Sequence, residues 1–215
     1  MSAQPTTAER AHGASLRSVV KAAVFILCVV AVAPLIFCSW IEKRMAGSEL
    51  LFTSASQALA LIPSFPGTWL RGAFYWGALE HCSWQVHIGF GSLFSHRGVR
   101  LGHRVSMGNY CVIGHADIGD GAMIGSRVSI PSGKRQHFDD EGRLTAGTTR
   151  FERVAIGANA WIGEGAIVMA DIGERSVVSA GAVVTKPAPA GALIGGNPAR
   201  VIRALDAPVS TEGST

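Results

Sequence analysis

LGHRVSMGNYCVIGHADIGDGAMIGSRVSI, residues 101–130, sets an aliphatic side chain at Leu101, Met107, Ile113, Ile118, Ile124 and Ile130, with glycine directly after each but the last. The steps are six residues, with a single five between Ile113 and Ile118. A strand alternates with period two and a helix with period 3.6, and neither sustains a six with a turn residue beside every aliphatic. A coil of three short flat strands, each followed by a corner, does. The aliphatic then points into a prism and stacks on its counterpart one coil, roughly eighteen residues, away. Glycine, asparagine and aspartate serve the corners, where a side chain would clash or φ must be positive.

The same register extends outward. Upstream it holds at Ile88 and at Phe94, seven residues before Leu101; downstream it resumes at Ile156, Ile162, Val168, Ile172, Val178 and Val184, with one step of four. The expected fold is mainly β, a parallel β-helix over residues 86–187 of about four to five coils, enough for a continuous stacked core. The high glycine count, 26 of 215, belongs to this ladder, and GFG at 89–91 needs no nucleotide loop. One segment, 131–153, breaks the pattern. Its SGKRQHFDDEGR (132–143) crowds charges around a lone histidine, His137.

Ahead of the ladder the chain has another character. AAVFILCVVAVAPLIFCSWI, residues 22–41, carries no charge and is long enough to cross a bilayer as a helix. Ala31-Val32-Ala33 resembles a signal-peptide cleavage site, but Pro34 follows it directly, and bulky Phe37 spoils a lipoprotein site at Cys38; the segment reads as retained. The domain reading is an N-terminal tail over 1–18, a membrane helix over 19–41 and an interfacial helical connector over 42–85. The repeat domain with its loop 131–153 follows, then a C-terminal segment over 188–205 and a disordered tail over 206–215. Trp69, Phe74, Tyr75, Trp76 and Trp84 suit either a headgroup layer or packing on the domain. Residues 70–87 and the segment after Pro198 are placed to cap the open ends of the prism. The net charge of +4 comes from scattered residues, so nucleic acid is not expected as a partner. Cys28, Cys38, Cys82 and Cys111 form no CxxC spacing and imply neither a disulfide framework nor a cysteine zinc site.

AIGANAWIGEGAIV (155–168) and VVSAGAVVTKPAPAGALIGGNPARVIR (177–203) resemble the hexapeptide-repeat O-acetyltransferases of the maltose, galactoside, nodulation-factor and exopolysaccharide type. VVTK followed eleven residues later by NPARVIR is the most distinctive part. The resemblance spans roughly residues 86 to 205 and implies a left-handed β-helix, acetyl-CoA as co-substrate, no metal and a homotrimer with the site between subunits. It implies His137 as general base, although His137 stands seven residues after Ile130 where the family histidine stands about five after the last aliphatic. A histidine near neutral pKa suits removal of a hydroxyl proton as the ester forms. For the coenzyme it implies Trp161 in the cleft, the Glu164 backbone N–H facing the thioester carbonyl, and Ala180, Thr185 and Lys186 along the arm. Arg200 and Arg203 fall near the phosphates. Asn109 and Asp117 match sugar-binding positions by their eight-residue separation, with corner geometry as the alternative for Asn109. Lys134, Arg135, Asp139 and Asp140 carry no expected catalytic role.

Two other readings use the same residues. His96, His103 and His115 each stand two residues after a ladder aliphatic, and three imidazoles suffice for a zinc site resembling the γ-class carbonic anhydrases. A non-catalytic β-helix scaffold in a polysaccharide-synthesis complex is the other. The preferred reading is an O-acetyltransferase acting on a cell-surface glycan or its lipid-linked precursor, at the cytoplasmic face of a bacterial inner membrane. Arg10, Arg17 and Lys21 before the apolar run lean the other way for a single span. A helical hairpin or a re-entrant segment, bent at Pro34, would reconcile the two.

Overall fold

The structure is a computed structural model that describes residues 7–45, 48–133, 137–139, 141–144 and 151–205, with the side chains of 7–15 and 17 left aside. Lys134, Arg135, Asp140 and the tail 206–215 therefore lie outside the described residues. Three helices come first, α1 (Thr7–Met45), α2 (Leu50–Ala60) and α3 (Ser64–Ala78), and sixteen short strands follow.

The strands form three sheets. Sheet A stacks β1 (His81–Cys82), β4 (Arg100–Leu101), β7 (Ala116–Ile118) and β10 (Val154–Ile156). Sheet B stacks β2 (His87–Ile88), β5 (Ser106–Met107), β8 (Met123–Ile124), β11 (Trp161–Ile162), β13 (Val177–Val178), β15 (Ala192–Gly196) and β16 (Ala199–Ala204). Sheet C stacks β3 (Leu93–Phe94), β6 (Val112–Ile113), β9 (Ser129–Ile130), β12 (Ile167–Val168) and β14 (Val183–Val184). Apart from the antiparallel β15–β16 pair, whose turn carries a cis Asn197–Pro198 bond, every pairing is parallel. The chain is thus a three-sided parallel β-solenoid.

The ladder aliphatics are its core. Cys82, Leu101, Ile118, Ile156, Ile172 and Ala188 form one inward column. Ile88, Met107, Ile124, Ile162, Val178 and Ile194 form the second, and Phe94, Ile113 and Ile130 begin the third. Those columns count about six turns where the sequence predicts four to five. The first coil, from His81, turns Cys82 and Phe94 inward without the aliphatic–glycine signature, and the last uses Ala188. Glycine after an aliphatic is a matter of room. A Cβ on Gly163 would stand 2.5 Å from the Ala180 nitrogen and 2.7 Å from the Val178 oxygen of the next coil.

The helices close the N-terminal end. α3 lies against β1 and β2, and α2 against β3. Phe52, Phe74 and Tyr75 are fully buried there, and Tyr75 meets the last inward residue of the first coil, Phe94, edge to face at 4.6 Å. The predicted aromatic segment is divided: Phe74 and Tyr75 pack inward, Trp69 is partly buried, and Trp76 and Trp84 stay exposed. Arg71 is buried with it and donates to the Leu59, Ile62 and Ile88 carbonyls at 3.0, 2.8 and 3.1 Å, which ties α2, α3 and the first coil together. α1 lies over this layer. Phe25 contacts Trp76 and Trp84, and Glu42 pairs with Arg97 and accepts from the Leu51 and Phe52 N–H groups at the start of α2. Residues 18–45 are long and apolar enough to cross a membrane. Pro34 sits inside one continuous helix, so the predicted hairpin at that residue does not form.

Candidate active site

Strand register sorts the expected site residues into two groups. The outward positions of sheet B run His87, Ser106, Met123, Trp161, Val177, Leu193 and Arg203. Trp161 is half-exposed in that row, and Arg203 stands three strands beyond it, about 14 Å at a strand spacing of 4.7–4.9 Å. The adjoining corner, between sheets B and C, carries Asn109, Ser126, Glu164 and Ala180 in successive coils. The Asn109 N–H donates to Ser126 Oγ at 3.2 Å, Gly165 to the Ser126 oxygen at 2.9 Å, and Gly181 to the Glu164 oxygen at 2.8 Å.

Some corner amides, in the first coils, are satisfied from the coil above. Phe90 N–H donates to Asn109 Oδ1 at 2.9 Å, as Asn109 does to Ser126. Above Glu164 stands Ala180, whose methyl accepts nothing, and no described residue accepts from the Glu164 N–H. Glu164 shares this with other corner residues of the later coils, and it stands at the corner that directly follows Trp161 and Ile162 of β11. The Glu164 carboxylate points to solvent, 3.9 Å from Arg127.

The second group lies across sheet C. Thr185 and Lys186 follow β14 at the corner between sheets C and A. The loop 131–153 leaves and rejoins at the same corner, since the Glu152 N–H donates to the Ser132 oxygen at 3.0 Å and the Val154 N–H to the His115 oxygen at 3.0 Å. His137 is exposed in a turn just before a small antiparallel pairing of Phe138 with Leu144. Asp139 holds that turn, accepting from Arg143 N–H at 2.7 Å and pairing with its Nε at 3.0 Å. Asp117 is on this side too, on the outer face of sheet A. It pairs with Arg153 at 3.0 Å, and Arg153 with Glu80 at 2.7 Å. The Arg153 hydrogen bond, with Arg100 added, holds the Glu80 carboxyl below its ordinary range.

The two groups are not brought together within one protomer. From Glu164 to the far corner of sheet C the chain runs about five near-extended residues, on the order of 16 Å. Asn109 and Asp117, expected to share a sugar, sit apart, Asn109 at the corner between sheets B and C and Asp117 on the outer face of sheet A, and Asn109 also does the corner work foreseen as its alternative. Arg200 and Arg203 hydrogen-bond the Ala199 and Ala204 carbonyls and form no ion pair with a described carboxylate.

The three histidines considered for zinc do not converge. His96 and His115 are neighbours, with ring centroids 4.7 Å apart, but His96 Nδ1 contacts Glu49 at 2.6 Å and His115 stacks on Phe151. His103 is at another corner, 3.0 Å from Ser83 Oγ. Among the described residues no group of three metal-ligating side chains is assembled. Burial, with His96 beside it, pushes His115 below the ordinary imidazole range. Nothing in the repeat pattern signals this cluster, because Glu49 and Phe151 both lie outside the ladder.

No protein-family model matches the chain. A Staphylococcus aureus (strain MRSA252) protein described as an acetyltransferase is 41% identical over 78 residues, 35% of this chain and 37% of that protein. The match spans little more than a third of that relative's length. The crystal structure of a maltose O-acetyltransferase from Clostridium difficile 630 superposes with a TM-score of 0.63 at 23% identity, over 73% of this chain and 86% of that one. A galactoside acetyltransferase in complex with coenzyme A gives 0.63 at 21% identity, over 73% and 80%.

Proposed function

We propose, from a solenoid fold shared with hexapeptide-repeat acetyltransferases, that this chain is an acetyl-CoA-dependent O-acetyltransferase. Its acceptor is a sugar hydroxyl of a cell-surface glycan or its lipid-linked precursor, met at the cytoplasmic face of a bacterial inner membrane. The observation that supports this most directly is the solenoid matched over 73% of the chain to a galactoside acetyltransferase that carries coenzyme A, with half-exposed Trp161 on the outward row of sheet B.

The chemistry follows from that placement. Trp161 offers a flat apolar wall to the pantetheine arm, with the small side chain of Ala180 leaving room above Glu164. Thr185, Lys186, Arg200 and Arg203 supply polar and cationic contacts for the coenzyme's amides and phosphates. As the acceptor hydroxyl attacks the thioester carbon, His137 takes its proton and the Glu164 N–H donates to the carbonyl oxygen as charge develops there. When the C–S bond breaks, the imidazolium returns the proton to the departing thiolate. Neither charge ever has to be carried alone.

The separation of the two groups across sheet C supports a homotrimer in which the site is built between copies. One copy would give Trp161, Glu164 and Asn109, and its neighbour His137 and Asp117. In that arrangement Asn109 and Asp117 address one sugar from two sides.

Thiol release from acetyl-CoA, measured against a panel of glycan acceptors, tests the reading. His137→Ala should lower transfer by roughly 10²–10⁴-fold and leave the thermal midpoint unchanged, because the side chain is exposed. Wild-type transfer by that variant would remove His137 from the mechanism. Absence of both acetyl-CoA binding and thiol release in the wild type would favour the scaffold reading.

A further inference from the structure

The apolar helix α1 is docked over its C-terminal half, along one narrow line. Phe25 packs on Trp76 and Trp84, Val32 is buried, a Cβ on Gly77 of α3 would strike Ile36, and Glu42 is buried against Arg97. Phe25 to Glu42 is about 26 Å of helix at 1.5 Å per residue, nearly the roughly 30 Å of a hydrocarbon core. Trp84 and Arg97 lie in two different turns of the same first coil, between β1 and β2 and between β3 and β4. The docked part of α1 therefore bridges one corner of that coil and another, across the end of the solenoid.

A helix held this way cannot cross a bilayer alone. Were it to span, the Glu42–Arg97 pair, buried Arg71 and the charged flanks of the first two coils would enter the hydrocarbon with it, at several kcal/mol for each isolated charge. Yet its outward stripe is apolar throughout, with Ile26, Leu27 and Phe37 61%, 69% and 65% exposed. Cations frame the stripe. Lys21 lies at one end and Lys43 and Arg44 at the other, with Arg44 over the Trp40 ring at 5.4 Å, and none of the three forms an ion pair with a described residue. An apolar stripe bounded by unpaired cations and an interfacial tryptophan is complementary to an anionic leaflet, with acyl chains under the stripe and phosphates at the ends.

We infer that α1 lies flat in one leaflet rather than across the bilayer, so that the solenoid stands upright on a monotopic membrane face with both ends of α1 on its own side. This goes beyond the proposed function and rests only on its membrane association, not on its chemistry. It also removes the conflict between the charge bias around residues 10–21 and a cytosolic coenzyme, because no segment need be translocated.

The test uses the full chain in a Cys28→Ala, Cys38→Ala background, bound from outside to phosphatidylethanolamine–phosphatidylglycerol vesicles. Leu16→Cys and Met45→Cys each introduce one accessible thiol at opposite ends of α1. Both should react with a membrane-impermeant maleimide before detergent is added. Protection of either until detergent is added would establish a span and overturn the inference. Leu27→Glu with Phe37→Glu, on the outward stripe, should abolish vesicle binding while keeping the thermal midpoint in solution. Unchanged binding by that variant, or no vesicle binding by the parent chain, would overturn it as well. Neither readout depends on acetyl transfer, so a failed transferase assay and a failed docking assay remain distinct results.

Discussion

His115 and His137 show how differently two histidines of one solenoid are placed. His137 is in solvent on a loop, free to meet a substrate. His115 is wedged between His96 and Phe151, where burial and the neighbouring ring disfavour its charged form. Its folded pKa lies below its unfolded value near 6.5, so the unfolded chain binds the proton more readily. The stability this contributes is present above pH 6.5 and is lost as pH falls through the interval below it. Thermal midpoints should therefore drop as the pH is lowered from about 7 towards 5.5, before the carboxylates begin to titrate. His115→Phe, which keeps the ring stack and removes the proton site, should flatten that stretch of the profile. The residues that matter here were only partly legible. His137 stood out because it broke a period, and Trp161 and Glu164 because they sat in a distinctive repeat. The Glu164 amide was singled out only through the family resemblance, since its lack of an acceptor depends on what stacks above it. The His96–His115–Phe151 cluster was invisible as a unit, because it joins three segments that only folding brings together.

Among the elements, the corners and the cap divide what a periodic sequence reveals from what it hides. The inward columns were readable because each coil repeats one steric demand. Gly163→Ala would press a methyl against backbone of the next coil, which cannot yield, and should cost on the order of 1–3 kcal/mol in urea unfolding. Gly165→Ala meets nothing within 4 Å and is burdened only by its φ of +67°, so about 1 kcal/mol is expected. Other corners escaped prediction. Arg104, Arg127 and Arg175 adopt φ near +55° where glycine, asparagine or aspartate was expected; the coil geometry imposes the conformation and the residue tolerates it. The ends were the least legible. Cys82 and Ala188 close the columns without a ladder signature, and the long helix hid Glu42, whose carboxylate receives Arg97 and two amides of α2. Glu42→Gln leaves the Arg97 charge buried without its partner and should cost roughly 3–5 kcal/mol, with earlier proteolysis in α1. Adding Arg97→Met should recover part of the loss.

At the scale of the whole molecule, the site residues occupy two corners a full prism face apart, and that separation makes its own prediction. If the site is built between copies as proposed, co-expressed His137→Ala and Trp161→Ala chains should regain transfer well above either parent, since a mixed trimer would rebuild one intact site from two defective copies. A mixture no more active than its parents would place the whole site within one protomer. Upright docking of the solenoid adds a metric consequence. The outward row of sheet B climbs from His87 to Trp161 in three registered steps, about 14 Å, above two helix layers of about 10 Å each. Such a pillar is a ruler. If the proposed transfer to a glycan takes place there, the cleft would be held at one height over the lipid and the hydroxyl set by distance along the glycan, so that inserting a further coil should move the modification outward from the membrane.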